Sequence, residues 1–276
     1  MITDADVERW LREDVGHHDV TNDVPGETEG RLVATESGVV AGIEAAQAVF
    51  EYVDVTVRDA VADGTYVDAG DVVLWTTGPA RATLRAERVA VNVVGHASGV
   101  ATRTRRAVEA AREVDPEVTI AATRKTTPGL RGVEKRAVVA GGGDTHRLDL
   151  SHMVMVKDNH VAEMGLEDAV AHVRERASFA TKIEVEAETS EQAARAVDAG
   201  ADVVLLDNMT PSETASAAVG VREAAADAGR EVLVEASGGI TIGDVPAYAD
   251  AGVDVISMGS LTHSAQSLDL SFRTGD

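Results

Sequence analysis

The sequence predicts an α/β protein, and three observations carry that prediction. After residue 117, short apolar runs alternate with amphipathic helical segments at a spacing of roughly 20 to 25 residues, the pattern of parallel strands with covering helices. The runs "EVTIAATR", "HMVMVKDNH", "TKIEVEAETS", "ADVVLLDN", "EVLVEASGG" and "VDVISMGS" end in charged or small polar residues, which gathers polar groups at one end of the sheet. Before residue 80 the runs are shorter, and Gly64, Gly70 and Gly78 punctuate them as strand pieces of an antiparallel, α+β-like unit.

Taken in order, segment 4–13 places Val7, Trp10 and Leu11 on one helical face, with Asp4 as a capping group. The polar stretch "DVGHHDVTNDVPGETEG" then reads as a loop to about residue 30. Strand pieces in "RLVATESGVVAG", a helix in "IEAAQAVFEYV" and further strands in "VTVRDAVADGTYVDAGDVVLWTTGP" follow. The piece "DGTYVDAGDVV" resembles the hairpin of biotinyl and lipoyl carriers, but a carrier presents a lysine there and this region has none, so it reads as scaffold. From Arg81 to Val114 the period is helical, with "TLRAERVAVNVVGHASG" and "VATRTRRAVEAAREV" separated at Ser98-Gly99. The domain boundary is placed near residue 105, giving domains 1–105 and 106–276. Helices "TPGLRGVEKRAVVAGG", "EQAARAVDAG", "PSETASAAVGVREAAADAG" and "IGDVPAYADAG" alternate with the later strands. Periodicity leaves both a barrel and a doubly wound open sheet standing, and the strands counted after residue 117 are too few for a complete eight-stranded barrel.

Composition narrows the functional classes. The 276 residues carry 47 Asp and Glu against 25 Lys and Arg, a formal charge of -22, and the lysines are only Lys125, Lys135, Lys157 and Lys182. A concentrated-salt cytoplasm accounts for both features, since salt screens self-repulsion and a carboxylate-rich surface holds water and cations, so the chain is expected to be halophilic. Double-stranded nucleic acid is not an expected partner, because its binding needs a net basic footprint. The absence of cysteine removes disulfides, thiolate nucleophiles and Cys-ligated metal centres. The opening "MITDADVERWLRED" lacks the basic and apolar parts of a signal peptide, and no stretch has the length and apolarity of a membrane span. A cytoplasmic location is therefore expected.

Residues 121–160 depart from the acidic balance. Arg124, Lys125, Arg131, Lys135, Arg136, Arg147 and Lys157 stand against Glu134, Asp144, Asp149 and Asp158, so this window is net positive inside an acidic chain. Arg124 and Lys125 end one apolar run, His146 and Arg147 follow the glycines of "AGGGD", and Lys157 ends the next run. Arg presents a planar fork and Lys a point charge, so their mixture at strand ends predicts a pocket for a substrate with more than one acidic group. Arg131, Lys135 and Arg136 read instead as the solvated face of an amphipathic helix.

Carboxylates end two further runs. Glu184 and Glu186 share a strand face in "KIEVEAE", with Glu186 near the strand end, and Asp207 closes "DVVLLD". Oxygen ligands without soft partners suit Mg²⁺, which keeps several waters and bridges substrate phosphates. "ASGG" and "MGS" place Ser237, Gly238, Gly239, Gly259 and Ser260 after the last two strands, where barrel phosphate sites are built from backbone amides. His17, His18, His96, His152 and His263 lack metal-ligand spacing and read as packing, cap or interface residues, while His160 either packs or orients a neighbour. These parts fit a displacement between two bound substrates, an anionic organic acid and a magnesium-bound phosphate ester.

The segment "TRKTTPGLRGVEKRAVVAGGGDTHRLDLSHMVMVKDNH", with "IEVEAETSEQA", "ADVVLLDN", "EASGGI" and "GVDVISMGSLTHS", resembles the quinolinate phosphoribosyltransferase family, also called nicotinate-nucleotide pyrophosphorylases. "LREDVGHHDVT" and "ERVAVNVVGHASGVAT" extend the resemblance over nearly the whole chain, although "SHMVMV" is more polar at its start than the corresponding family run. The resemblance implies an N-terminal α/β sandwich domain joined to an incomplete α/β barrel, which accounts for the shortage of strands. It implies the reaction of quinolinate with 5-phosphoribosyl 1-diphosphate, giving nicotinate mononucleotide, diphosphate and CO₂ for NAD biosynthesis. It also implies a homodimer sharing its active sites, assembled in some members into a hexamer. By motif, Arg124, His146, Arg147 and Lys157 would hold the quinolinate carboxylates, joined by Arg88 from the partner subunit. Lys125 would bridge the two substrates, Glu186 and Asp207 would meet ribose hydroxyls and Mg²⁺, and Ser237, Gly238, Gly239, Gly259 and Ser260 would surround phosphate. Relatives associated with molybdenum transport share much of this core, and a phosphate-ligand sensor on the same scaffold is the non-enzyme alternative. The retained basic set favours quinolinate.

Overall fold

The computed structural model describes residues 2–275. The chain opens with α1 (Asp4–Val15), β1 (Glu27–Ala34), β2 (Gly38–Val39), α2 (Ile43–Tyr52), β3 (Thr56–Ala60), β4 (Tyr66–Val67), β5 (Val72–Pro79) and α3 (Ala80–Arg112). Next come β6 (Thr119–Ala121), α4 (Arg131–Ala140), β7 (Val154–Val156), α5 (Asp158–Met164), α6 (Leu166–Arg174), β8 (Ile183–Ala187) and α7 (Ser190–Ala199). It closes with β9 (Val203–Asp207), α8 (Pro211–Asp227), β10 (Leu233–Ser237), α9 (Val245–Ala249), β11 (Val255–Ser257), α10 (Ser260–His263) and β12 (Leu270–Thr274).

These elements form two compact units that are interleaved in sequence. The first takes the chain up to Arg105, then Thr126–Gly142 and the segment from Leu261, while the second takes Arg106–Lys125 and Gly143–Ser260. A single cut between 1–105 and 106–276 misplaces two segments, for a physical reason in each case. β12 pairs antiparallel with β1, matching Leu32 to Phe272, and α4 brings Glu134 to His96 of α3.

In the first unit, Thr3 and Asp6 form a reciprocal capping box at α1, so the cap is the residue before Asp4. Sheet order is β12-β1-β5-β3, with β2 and β4 pairing separately. Leu32, Leu74, Val49, Phe50, Ala86 and Val94 are among the side chains of its core. The break expected at Ser98-Gly99 does not occur, because α3 runs through it. Gly99 serves packing instead: a Cβ there would stand 2.0 Å from the Gln266 carbonyl oxygen, so only glycine lets that backbone lie against the helix.

In the second unit, all six strands are parallel neighbours in the order β6-β11-β10-β9-β8-β7. Ile183, Val185, Val204, Leu206, Val234 and Ile256 are wholly buried, as expected of strands covered on both faces. Among the described residues β6 and β7 remain the edges of this sheet, so its hydrogen bonding does not close. The architecture is mixed α/β, an incomplete barrel in one unit and a sandwich-like fold in the other. Thr189 caps α7, and Thr210 caps α8 with Glu213 and a proline at its first turn, so each helix starts directly after a strand end.

The face of α4 departs from expectation. Lys135 is 3% exposed rather than solvated, because Val133, Glu134, Ala137 and Val138 bury the same helix in the first unit. Arg136 pairs with Glu44 at 3.4 Å and Arg131 donates to Thr126 Oγ1 at 3.1 Å. Glu134 is fully buried, with Oε1 2.8 Å from His96 Nε2 and Oε2 accepting the Thr127 N–H at 3.0 Å. Burial alone would raise its pKa, but these bonds outweigh burial and hold it below the ordinary 4.5. Its contribution to stability is present above that value and is lost as pH falls through the lowered one. Glu134→Ala is expected to cost about 3–5 kcal/mol in chemical denaturation, by stranding the Thr127 N–H and His96.

Candidate active site

The polar end of the six-stranded sheet encloses a cavity of about 390 Å³. Every strand contributes. Thr123, Arg124 and Lys125 follow β6, Met155 and Lys157 come from the end of β7, and Glu186 from β8. Leu205, Asp207 and Asn208 come from β9, Glu235, Ser237, Gly238 and Gly239 from β10, and Ser257 from β11. His146 and Arg147 enter from the loop ahead of β7. The common cause is direction: parallel strands all present their C-terminal ends on one side, so residues distant in sequence converge there.

Local backbone aims several of these groups. Asn208 is left-handed at φ 57 and donates its N–H to the Ser237 carbonyl at 3.0 Å, stitching the turn after β9 to the end of β10. Gly238 has φ 103, and a Cβ on it would lie 2.4 Å from Asn208 Oδ1 and 2.6 Å from the Asn208 nitrogen, so this turn requires glycine. His146 is also left-handed, at φ 50, with its N–H donated to Asp144 Oδ1 at 2.5 Å. A non-glycine residue held there is strained, and surrounding contacts must hold it.

Charge inside the cavity is arranged in pairs. Lys157 Nζ is bonded to Glu186 Oε2, and Asn208 Nδ2 donates to Asp207 Oδ2 at 2.6 Å. Burial, together with the nearby Glu186 charge, pushes the Asp207 carboxyl up, against the opposing pull of Lys157 and Lys125. Burial and the Arg124 charge lower the Arg147 pKa, partly offset by Glu184 and Glu186. His146 Nε2 stands 3.0 Å from Glu235 Oε2 and 3.5 Å from Glu184 Oε1. Burial would lower its pKa, yet contact with Glu184 and Glu235 and their negative charge push it up to about 10.

Ten residues expected at the site therefore line one cavity: Arg124, Lys125, His146, Arg147, Lys157, Glu186, Asp207, Ser237, Gly238 and Gly239. Gly259 and Ser260 follow β11 but do not line it, and Ser257 of that strand does. Arg88 lies on α3 in the first unit, exposed, with Glu87 at 3.8 Å as its ionic neighbour, and is not among the lining residues. Sequence reasoning passed over Glu235, Asn208 and Ser257. The signal for Glu235 is an acid inside the apolar run "VLVEAS", two positions before the strand's polar end, as Glu184 stands before Glu186 in "IEVEA".

A parallel α/β scaffold whose strand ends surround cations, two rim carboxylates and a glycine turn has the parts needed by the class of enzymes that join an acidic substrate to a phosphate ester. Comparison with known proteins makes the class specific. Residues 100–273 match the family model for the quinolinate phosphoribosyl transferase C-terminal domain, and residues 18–98 match the model for its N-terminal domain. A probable nicotinate-nucleotide pyrophosphorylase [carboxylating] of Methanothermobacter thermautotrophicus is 44% identical over 96% of this chain and 96% of its own. The human nicotinate-nucleotide pyrophosphorylase [carboxylating] is 41% identical over 97% of this chain and 90% of its own. The crystal structure of NadC from Streptococcus pyogenes superposes with a TM-score of 0.89 at 37% identity, covering 100% of this chain and 99% of that one. The chain belongs to the quinolinate phosphoribosyl transferase family.

The raised His146 pKa has a thermodynamic consequence. Its contribution to folding is complete below the ordinary value of 6.5 and drains away as pH rises toward about 10. Unfolding midpoints measured across that interval are expected to fall in the native protein and to decline less steeply in His146→Asn.

Proposed function

We propose that this protein transfers the phosphoribosyl group of 5-phosphoribosyl 1-diphosphate to quinolinate with loss of CO₂, yielding nicotinate mononucleotide and diphosphate for NAD biosynthesis. The observation that carries the reading is the joint presence of Arg124, His146, Arg147 and Lys157 in one cavity with Glu186, Asp207 and the Ser237–Gly239 turn. The four basic groups hold the two quinolinate carboxylates, and Lys125 lies between that dianion and the diphosphate donor. Fixing two carboxylates also rejects a pyridine with only one, because a buried cation would then be left unpaired.

The chemistry follows from charge. The pyridine nitrogen attacks C1 of the ribose as the bond to diphosphate breaks, through a transition state with oxocarbenium character. Glu186 and Asp207 stand where negative charge favours that cation, and Lys125 favours the departing diphosphate. Once the ring nitrogen is quaternised, the 2-carboxylate leaves as CO₂. The electron pair remains on the ring carbon, stabilised by the adjacent cationic nitrogen, and takes up a proton.

Glu186 and Asp207 offer hard oxygen donors from adjacent strands to one cavity, so the pair suits Mg²⁺ directly or through water. Bound there, the ion would neutralise diphosphate charge. The active form is a homodimer in which Arg88 of one subunit completes the site of the other. The acidic surface suits it to a concentrated-salt cytoplasm.

Purified protein in molar KCl with Mg²⁺ is expected to form nicotinate mononucleotide from quinolinate. Turnover with nicotinate in place of quinolinate would defeat the substrate assignment, and binding of the phosphoribosyl donor without product would favour a sensor. Lys157→Ala should raise the quinolinate KM by about tenfold or more, the effect of one lost charge-assisted bond, and unchanged kinetics would remove it from the site.

A further inference from the structure

Two of the most deeply buried side chains in the second unit are acids to which the reaction assigns no role. Glu184 of β8 is 0% exposed and Glu235 of β10 is 2% exposed. Glu184 stands two positions before Glu186, and Glu235 two before Ser237, so each shares a strand face with a group lining the cavity. Both Glu184 oxygens and Glu235 Oε1 lack a hydrogen-bond partner, a costly arrangement for buried acids unless a cation stands close. The ring of His146 stands close to both acids. His146 Nε2 is 3.0 Å from Glu235 Oε2 and 3.5 Å from Glu184 Oε1, and its residue is held in a left-handed backbone conformation by the bond from its N–H to Asp144.

On the reading of the cavity as a dicarboxylate site, we propose that Glu235 and Glu184 are positioning residues that keep His146 as an imidazolium, with Nε2–H turned to Glu235 and Nδ1–H left as the donor for a substrate carboxylate. The ring chemistry demands this charge state. A neutral imidazole that donates through Nε2 carries a lone pair on Nδ1 and repels a carboxylate; only the doubly protonated ring donates on both edges. The two glutamates thus supply the negative charge beneath the site that allows a cation to persist in an interior otherwise hostile to it.

The charged groups around the ring come from the ends of five of the six strands. They are Glu184 and Glu186 of β8, Asp207 of β9, Glu235 of β10, Arg124 and Lys125 after β6, Lys157 after β7, and Arg147 beside it in the chain. The same three side chains, with ligand atoms within 4.8 Å of one another, have the composition of a metal site. The arrangement favours a proton: the Nε2–Glu235 separation is that of a hydrogen bond, and Arg147 already opposes the Glu184 charge, leaving less for a divalent ion.

The test joins spectroscopy to kinetics. In the full-length protein labelled with ¹⁵N-histidine, the His146 ring is expected to show two protonated nitrogens at about pH 8, where a free imidazole is neutral, and Glu235→Gln should shift it toward the neutral form. The same variant should raise the quinolinate KM by about tenfold while the phosphoribosyl diphosphate KM stays within about twofold, and Glu235→Asp should recover part of the loss. A neutral His146 ring in the native protein, equal rises in both KM values, or one tightly held divalent ion per chain that Glu235→Gln releases would each overturn the proposal. If Glu235→Gln does not fold, the native spectrum and Glu184→Gln decide the matter. Native protein that does not turn over quinolinate would sink the functional reading, while the ring spectrum would still report separately on the glutamate pair.

Discussion

Burying like charges is costly, and the second unit rests on how it meets that constraint. Its cavity needs positive groups to receive an acidic ligand, yet a closed cluster of Arg, Lys and His would lower their own pKa values and repel one another. The sheet interior supplies the answer from below, with Glu184 and Glu235 under His146 and Arg147, and Glu186 on Lys157 at the rim. Opposite charges in layers give each group a partner and an aim. Pairs held away from solvent are also screened less by salt than surface charges are, so this local positive field persists where the rest of the chain's charge of -22 is muted.

The scaffold makes such layering available because parallel strands put alternate residues on one face and end together. Glu184 and Glu186 use successive positions of the same face of β8, one deep and one at the cavity, and β10 repeats the device with Glu235 and Ser237. Turns complete the rim. The backbone of Asn208 lies so close to Gly238 that no side chain fits between them, which leaves main-chain groups, rather than side chains, at that edge of the cavity. In the first unit a single buried acid plays a comparable part, since Glu134 ties α3 through His96 to the residues that enter α4.

Much of this is legible in the sequence. The series of apolar runs after residue 117 is readable because each run is short, β-branched and closed by polar residues, and ten of the expected site residues lie on one cavity for the same reason. What escaped has identifiable causes. Gly99 looked like a helix break because local reading prices glycine by its flexibility, whereas here it permits a close backbone approach. Helices α5 and α6 are short pieces parted at Gly165, too brief for a clear period. β12 is recognisable only through β1, a partner at the other end of the chain. The amphipathic reading of α4 puts Lys135 on the solvated face with Arg131 and Arg136, whereas packing within the first unit buries it.

By itself, then, the chain determined which residues stand at strand ends, how acidic the surface is, and the resemblance to one family, because these depend on residue type and spacing along a few neighbouring positions. Tertiary structure alone decided which charges meet. His146 and Glu235 are 89 residues apart and come from different elements, and Glu184 reaches the same ring from a strand that β9 separates from β10. The strength of a buried ion contact depends on ångström distances and on the exclusion of water, and neither quantity is written in local sequence until the sheet has folded.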